Sequence, residues 1–182
     1  MTVTKHIDLS IYRGNLRQIV AEMSPSRVMA VIKADGYGHG LVETARAATD
    51  AGIDFLGVLD IETGLALRKA GLETPAFAWL HSIDSDFSAA VYAGIDLSVG
   101  SMHELEAISK AAGRAQVHLK IDTGLSRNGC RPEQWIPLVS RAMQLQSEGE
   151  IDVVAIWSHL SGTSFEAVSY THLRAHETPE HL

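Results

Sequence analysis

The 182-residue sequence contains a single cysteine, Cys130, so it cannot build a disulfide framework or a thiolate metal site. It lacks clusters of lysine and arginine, and its formal net charge of -7 argues against a nucleic-acid-binding face. No apolar run approaches the length of a membrane span, and the N-terminal residues have no signal-peptide core. These absences predict a cytoplasmic protein with no metal site and no nucleic-acid or membrane partner.

The composition that remains is ordinary for a globular protein. Hydrophobic residues make up 46% of the chain and charged residues 20%, which argues against disorder. The length suits one sizeable core and is too short for two generous domains.

Short apolar segments alternate along the chain with segments whose apolar residues recur at helical spacing. The predicted helices are 9–23, 40–52, 61–71, 85–94, 101–113 and 132–147, and the predicted strands are 28–33, 54–60, 74–81, 95–100, 115–122 and 152–159. This alternation predicts parallel βαβ units. A doubly wound open sheet and part of an eight-stranded βα barrel both fit, and both place functional groups at the C-terminal ends of the strands. No GxGxxG follows the first strand, so a dinucleotide site is not indicated.

The segment AVIKADGYGHG, residues 30–40, joins an apolar run that ends at Lys33 to three glycines that follow within seven positions. A lysine at a strand end is either a surface cation or a covalent catalyst that condenses with an aldehyde, and pyridoxal phosphate is the commonest such partner. The glycines would let the backbone approach a ligand closely, and Tyr37 offers a hydroxyl to a phosphate. The combination favours a covalent cofactor site.

The fifth predicted strand carries polar side chains on alternate positions. The face opposite Val117, Leu119 and Ile121 holds four polar residues, among them Lys120. A solvated face is the alternative, although it suits an antiparallel or edge strand better than a central parallel one.

Two further cations follow strand ends. The turn DTGLSRNG presents Arg127, whose planar fork suits a carboxylate or the phenolic oxygen of a cofactor, although arginines in turns often face solvent. His159 ends the sixth apolar run, where it is either a ligand contact or a hydrogen-bonded packing residue.

Three segments together resemble alanine racemases, the pyridoxal-phosphate enzymes that interconvert L- and D-alanine for peptidoglycan synthesis. AVIKADGYGHG resembles the cofactor-binding signature of that family, and HLKIDTGLSRNG and IWSHL resemble its second and third marked segments. Their order and separations also match, and the resemblance covers roughly residues 7–161. It implies an α/β fold, a parallel (β/α) TIM-type barrel that is incomplete, with about six of the eight strands.

The resemblance also implies a role for each candidate residue. Lys33 would hold pyridoxal 5'-phosphate covalently and act as the base on one face of the substrate α-carbon, and Tyr37 would bind the cofactor phosphate. Arg127 would contact the phenolic oxygen and the substrate carboxylate. Lys120 matches a lysine that many members carbamylate and that orients this arginine. His159 would pack against the pyridine ring.

The sequence departs from the family in length. Family chains are about twice as long, and their second acid/base is a tyrosine from the C-terminal domain of the partner subunit, which no segment here matches. We therefore expect residues 1–162 to be a partial barrel that is inactive alone, from a parent that is a homodimer acting on alanine. Serine-preferring or broad specificity stays open.

Residues 163–182 continue no family pattern. The tail carries His172, His176 and His181, so metal binding is one interpretation, but a disordered or artefactual tail is favoured.

Two other functions compete with racemisation. A non-catalytic pyridoxal-phosphate-binding barrel protein of the same fold is nearer this chain in length, but it would not be expected to carry both KADGYGHG and KIDTGLSRNG. The second alternative is a barrel that uses different phosphate chemistry, or a fragment that has no functional site.

Overall fold

The computed structural model describes residues 2–82 and 84–160. The boundary predicted at 162 and the tail predicted for 163–182, including its three histidines, lie outside the described residues. The chain divides into two compact units between Asp96 and Leu97, and each unit is described by itself.

The first unit alternates helices with strands as the sequence predicts, except for a short element, α2, that was not predicted and lies between β1 and α3. Its elements are α1 (Leu9–Met23), β1 (Met29–Val31), α2 (Lys33–Gly38), α3 (Leu41–Ala51), β2 (Phe55–Val58), α4 (Ile61–Lys69), β3 (Ala76–Ala78) and α5 (Phe87–Tyr92). Strands β1 and β2 are parallel neighbours, and Ala30 lies opposite Leu56. Strands β2 and β3 are also parallel neighbours, and Gly57 lies opposite Phe77. Leu56, on the central strand β2, is fully buried.

Local chemistry sets the helix ends in this unit. Helix α1 begins where the sequence predicts because the Asp8 carboxylate accepts hydrogen bonds from the backbone N–H groups of Ser10 and Ile11. Helix α3 ends at Ala51 and is followed by Gly52, whose φ of 89° is the left-handed conformation that glycine adopts without a steric penalty.

The second unit contains α6 (Met102–Ile108), β5 (Ala115–Lys120), α7 (Pro132–Glu148) and β6 (Ile151–Trp157), and the strand β4 (Ile95–Val99) enters it. Strands β4 and β5 pair in parallel with Ser98 opposite His118, and β5 pairs with β6 with Lys120 opposite Trp157. Helix α7 contains Pro137 in its interior, as the sequence predicts.

Helix α6 ends earlier than predicted. It was expected to run to residue 113 but ends at Ile108. The Ser101 hydroxyl caps it by accepting from the Glu104 N–H at 3.2 Å, as predicted. The Glu104 carboxylate, however, accepts from the N–H of Gly100 at 2.7 Å, one residue before the cap, so the expected capping box does not form as such.

The strand order decides between the two predicted architectures. The six strands follow one another in chain order, β1-β2-β3-β4-β5-β6, and the pairs β1–β2, β2–β3, β4–β5 and β5–β6 are parallel. A doubly wound sheet reverses its order at a switch point, whereas a βα barrel does not. The fold is therefore the barrel type, with six strands present. None of the helices in residues 2–82 and 84–160 has the length and apolar content needed to cross a membrane.

Candidate active site

Lys33 does not end a strand, as the sequence predicted, but begins the turn after one. Strand β1 ends at Val31, and Lys33 is the first residue of α2. Its side chain is half-buried, and its Nζ lies 5.8 Å from the centre of the Tyr37 ring. Tyr37 is 58% exposed, so its hydroxyl end is accessible to a ligand. The structure thus brings these two predicted residues together.

The turn α2 is left-handed. Ala34, Asp35, Gly36 and Tyr37 have φ between 51° and 59° and ψ between 39° and 53°. The left-handed helical conformation costs a residue with a Cβ roughly 1–2 kcal/mol. Three residues of this turn, Ala34, Asp35 and Tyr37, have a Cβ and adopt that conformation, so the segment is strained. Such strain persists only where surrounding contacts hold it, and it occurs often at functional sites.

Contacts within the chain hold the turn. The Asp35 carboxylate accepts from the Leu41 N–H at 2.8 Å, which ties the turn to the start of α3. The Thr44 hydroxyl donates to the Gly40 carbonyl oxygen at 2.6 Å. A Cβ at Gly36 would lie 2.5 Å from the Thr44 Oγ1, so this close packing requires glycine as much as the φ does.

The glycines were expected to make room for a ligand, and the structure shows a different reason for two of them. Gly36 faces Thr44, and a Cβ at Gly40 would lie 2.6 Å from the Glu43 carboxylate. A Cβ at Gly38 would meet nothing within 4 Å. Packing within the chain therefore requires Gly36, whereas Gly40 is favoured by its φ of 96°, because the Glu43 carboxylate ends a flexible side chain that can move aside.

Lys120 lies at the end of β5 and is 1% exposed. Its Nζ is 4.4 Å from the centre of the Trp157 ring. The pKa of Lys120 is lowered to about 8, chiefly by burial and also by the positive charge of Arg127, while Glu104 and Asp122 act in the opposite direction. The solvated-face alternative is wrong for this lysine and for His118, which is also buried.

Arg127 lies in the loop after β5 and is exposed. The Asp122 carboxylate shapes this loop by accepting from the N–H groups of Gly124 and Ser126, each at 3.0 Å. The Cys130 N–H closes it by donating to the Lys120 carbonyl oxygen at 2.8 Å. The loop therefore begins and ends beside Lys120, which explains why the arginine charge acts on that amine.

His159 is half-buried just after β6, and its ring centre lies 5.0 Å from that of Trp157 at an interplanar angle of 55°. The indole N–H of Trp157 donates to the Ser98 hydroxyl at 3.2 Å. Sequence reasoning missed Trp157 and Ser98. The tryptophan stood inside the segment IWSHL but was interpreted only as part of an apolar run, and the serine gave no signal at all.

The site residues thus form one group in each unit. In the first, a half-buried amine and a phenol share a strained turn. In the second, Trp157 contacts both Lys120 and His159, with Arg127 in the adjoining loop. Amines and a guanidinium suit an aldehyde and anionic oxygens, the chemistry of a phosphorylated carbonyl cofactor and an amino acid. Among the described residues, no group of three or more histidine, cysteine or carboxylate side chains is arranged to hold a metal.

Comparison with known proteins finds relatives over most of the chain. The family model for the alanine racemase N-terminal domain matches residues 7–178. An alanine racemase of Salinispora tropica is 45% identical over 157 residues, covering 84% of this chain and 42% of the relative. One of Beutenbergia cavernae is 42% identical over 159 residues, covering 85% and 42%. The chain therefore spans about two fifths of the length of these relatives.

Solved structures give the same match at the level of the fold. Alanine racemase from the D-cycloserine producer Streptomyces lavendulae superposes with a TM-score of 0.88 at 36% identity, covering 94% of this chain and 48% of that one. Alanine racemase from Streptomyces coelicolor gives 0.89 at 36% identity with the same coverage.

Proposed function

The chain belongs to the alanine racemase family through its N-terminal domain, and on that premise we propose that it is the barrel part of a pyridoxal-phosphate-dependent racemase that interconverts L- and D-alanine. The observation that carries the proposal is the half-buried Lys33 amine, presented beside Tyr37 on a left-handed turn directly after β1. In a βα barrel, the ends of the strands are where catalytic groups collect.

The residues present fit the cofactor. Within the described residues, the Lys33 amine contacts the Tyr37 ring and forms no ion pair, so it is available to a carbonyl group. We propose that Lys33 holds the cofactor covalently and that the Tyr37 hydroxyl donates a hydrogen bond to the phosphate. Arg127 would contact the phenolic oxygen and the substrate carboxylate, and His159 would pack against the pyridine ring.

Pyridoxal phosphate, when bound, makes the α-proton of an amino acid removable by delocalising the charge that its loss leaves behind. The Lys33 Nζ would take that proton on one face. Lys120 would carry a carbamate that orients Arg127. A carbamate would form when the neutral Lys120 amine adds to dissolved carbon dioxide and releases a proton to solvent, and a pKa of about 8 leaves an appreciable neutral fraction near neutral pH.

Racemisation requires a second acid/base on the opposite face of the α-carbon. The family resemblance assigns that role to a tyrosine of the partner subunit, and no segment of these 182 residues matches it. We propose that these residues alone do not racemise alanine and that the activity belongs to a longer, homodimeric protein. Production of D-alanine by this chain at a rate clearly above that of free cofactor would contradict this.

Covalent labelling tests the role of Lys33. The chain is incubated with pyridoxal phosphate and reduced with borohydride, which fixes the cofactor on whichever lysine holds it, and the modified peptide is identified by mass spectrometry. The sequence has five lysines, so the product is simple to assign. We expect Lys33 to be labelled at low cofactor concentration and the other four only at a large excess.

A matched pair of variants makes this test specific. Lys33→Met should abolish the high-affinity label, whereas Lys69→Met, which removes an exposed lysine of α4, should leave it unchanged. Labelling that follows exposure, with Lys33 no better than Lys69, would refute the proposed covalent role.

A further inference from the structure

Four side chains share one face of the sheet in the second unit. Ser98 lies opposite His118 in the β4–β5 register, and Lys120 lies opposite Trp157 in the β5–β6 register. His118 and Lys120 are two residues apart on β5 and so point to the same side. The indole of Trp157 therefore crosses from β6 over β5, past Lys120, to reach Ser98 on β4.

The contacts of Trp157 are directional at each end. Its Nε1–H donates to the Ser98 hydroxyl at 3.2 Å, and that serine is 3% exposed. Its ring face lies 4.4 Å from the Lys120 Nζ, and its ring centre lies 5.0 Å from that of His159. The hydrogen bond fixes the rotation of the indole, and the fixed indole then limits where the lysine amine and the imidazole lie.

We infer that Trp157, anchored by Ser98, is a positioning residue that holds the Lys120 amine and the His159 ring on this face of the barrel. The geometry stands without any cofactor, and in terms of the function proposed above, on which its bearing on catalysis rests, it concerns the Lys120 amine before a carbamate forms on it. A tryptophan is suited to the task because its ring attracts a cation and packs against an aromatic ring at once.

Other charged groups also act on Lys120. Glu104 of α6 and Asp122 of the following loop favour its ammonium form, whereas Arg127 of the same loop disfavours it. The His118 ring lies two residues before Lys120 on β5, and the His159 ring lies just after β6. Against this background, the ring of Trp157 supplies a neutral partner that attracts the ammonium and does not titrate.

Nuclear magnetic resonance of the chain labelled with 13C at the lysine ε-carbon tests the inference. The titration is made in buffer freed of carbon dioxide, so that Lys120 stays an amine, and Lys120→Met assigns its signal among the five. In the wild-type chain, the Lys120 ε-protons should show the upfield displacement caused by the face of an aromatic ring. This measurement uses no cofactor, so it is independent of whether Lys33 binds pyridoxal phosphate.

Trp157→Leu keeps an apolar side chain and removes the ring face. We expect the upfield displacement to vanish and the acid dissociation constant of the Lys120 ammonium to rise about tenfold, the effect of losing one buried cation–π contact. Ser98→Ala leaves the ring but removes the hydrogen bond of its N–H, so both quantities should change in the same direction by a smaller amount. Trp157→Phe, which keeps a ring without the N–H, should lie between the leucine variant and the wild type.

Trp135→Phe, at a buried tryptophan of α7, is the matched control and should leave the Lys120 signal unchanged. If Trp157→Leu and Trp135→Phe give the same Lys120 titration and the same ε-proton position, Trp157 is a packing residue only and the inference is wrong. If Trp157→Leu does not fold, the folded variants Ser98→Ala and Trp157→Phe take its place. An unchanged Lys120 titration and ε-proton position in both of them would also refute the inference.

Discussion

Replacement of Gly36 by alanine tests whether the strained turn is held by its packing against Thr44. The new Cβ would lie 2.5 Å from the Thr44 Oγ1, closer than two such atoms can approach. The hydroxyl cannot simply rotate away, because it donates to the Gly40 carbonyl oxygen at 2.6 Å and Thr44 is 1% exposed. The substitution must therefore disturb the junction between α2 and α3.

The expected magnitude has two parts. Alanine at a φ of 59° costs about 1–2 kcal/mol relative to glycine, because the Cβ crowds the following carbonyl. Overpacking against a buried neighbour adds about 1–3 kcal/mol. Gly38→Ala carries only the first part, since its φ is also positive, at 79°, but a Cβ there meets nothing within 4 Å. The difference between the two variants isolates the contact with Thr44.

Urea unfolding at 25 °C, followed by circular dichroism, measures both variants against the wild type. We expect Gly36→Ala to lower the free energy of unfolding by about 2–5 kcal/mol and Gly38→Ala by about 1–2 kcal/mol. Thr44→Ala removes the two closest atoms, Oγ1 and Cγ2, and leaves only the Cβ at 3.3 Å, so in that background most of the extra cost of Gly36→Ala should disappear. Equal losses for the two glycine variants, or no rescue by Thr44→Ala, would refute the reasoning.

Three further outcomes are expected. Because burial lowers the pKa of Lys120 from 10.5 to about 8, its ammonium costs about 3 kcal/mol of stability below pH 8 and nothing above pH 10.5. In buffer free of carbon dioxide, Lys120→Met should therefore raise the free energy of unfolding at pH 7 by up to that amount and lose the gain as the pH rises; no gain at pH 7 would contradict this. Arg68→Ala should cost about 2–4 kcal/mol in urea unfolding, because its guanidinium donates to four backbone carbonyls. Arg46→Ala, with one such bond, should cost less than half as much. Burial raises the pKa of the Cys130 thiol, so iodoacetamide should modify it more than about tenfold more slowly in the native chain than in urea; equal rates would show that it is accessible.

The order of helices and strands was predictable because short-range chemistry decides it. Helix α1 runs over Leu9–Met23 as predicted, since Asp8 caps one end and Pro25 follows closely after the other. Helix α6 was predicted too long because its apolar spacing continues past Ile108 although the helix does not. Lys33 was assigned to a strand because a hydrophobic run predicts β structure without showing where left-handed residues interrupt it.

The positions of the candidate site were easier to predict than the reasons for them. Lys33 and Lys120 were marked by being polar at the ends of apolar segments. The residue that packs against Gly36 could not be predicted from the sequence, because Thr44 lies in the next helix and no local pattern marks it. Trp157 was hidden for a related reason, since a large aromatic residue in a strand is ordinarily core and only the register with Lys120 shows its second contact.

Two features of the chain argue that stability alone did not choose these residues. A left-handed turn with Ala34, Asp35 and Tyr37 is less stable than one built from glycine. A lysine that is 1% exposed, with an arginine charge nearby, is less stable than an apolar side chain of its size. A sequence that departs from the locally favoured choice does so most often at a functional site, where strain and buried charge have a use. Both departures fall within the segments that resemble the marked regions of alanine racemases, so the physical argument and the family resemblance point to the same residues for different reasons.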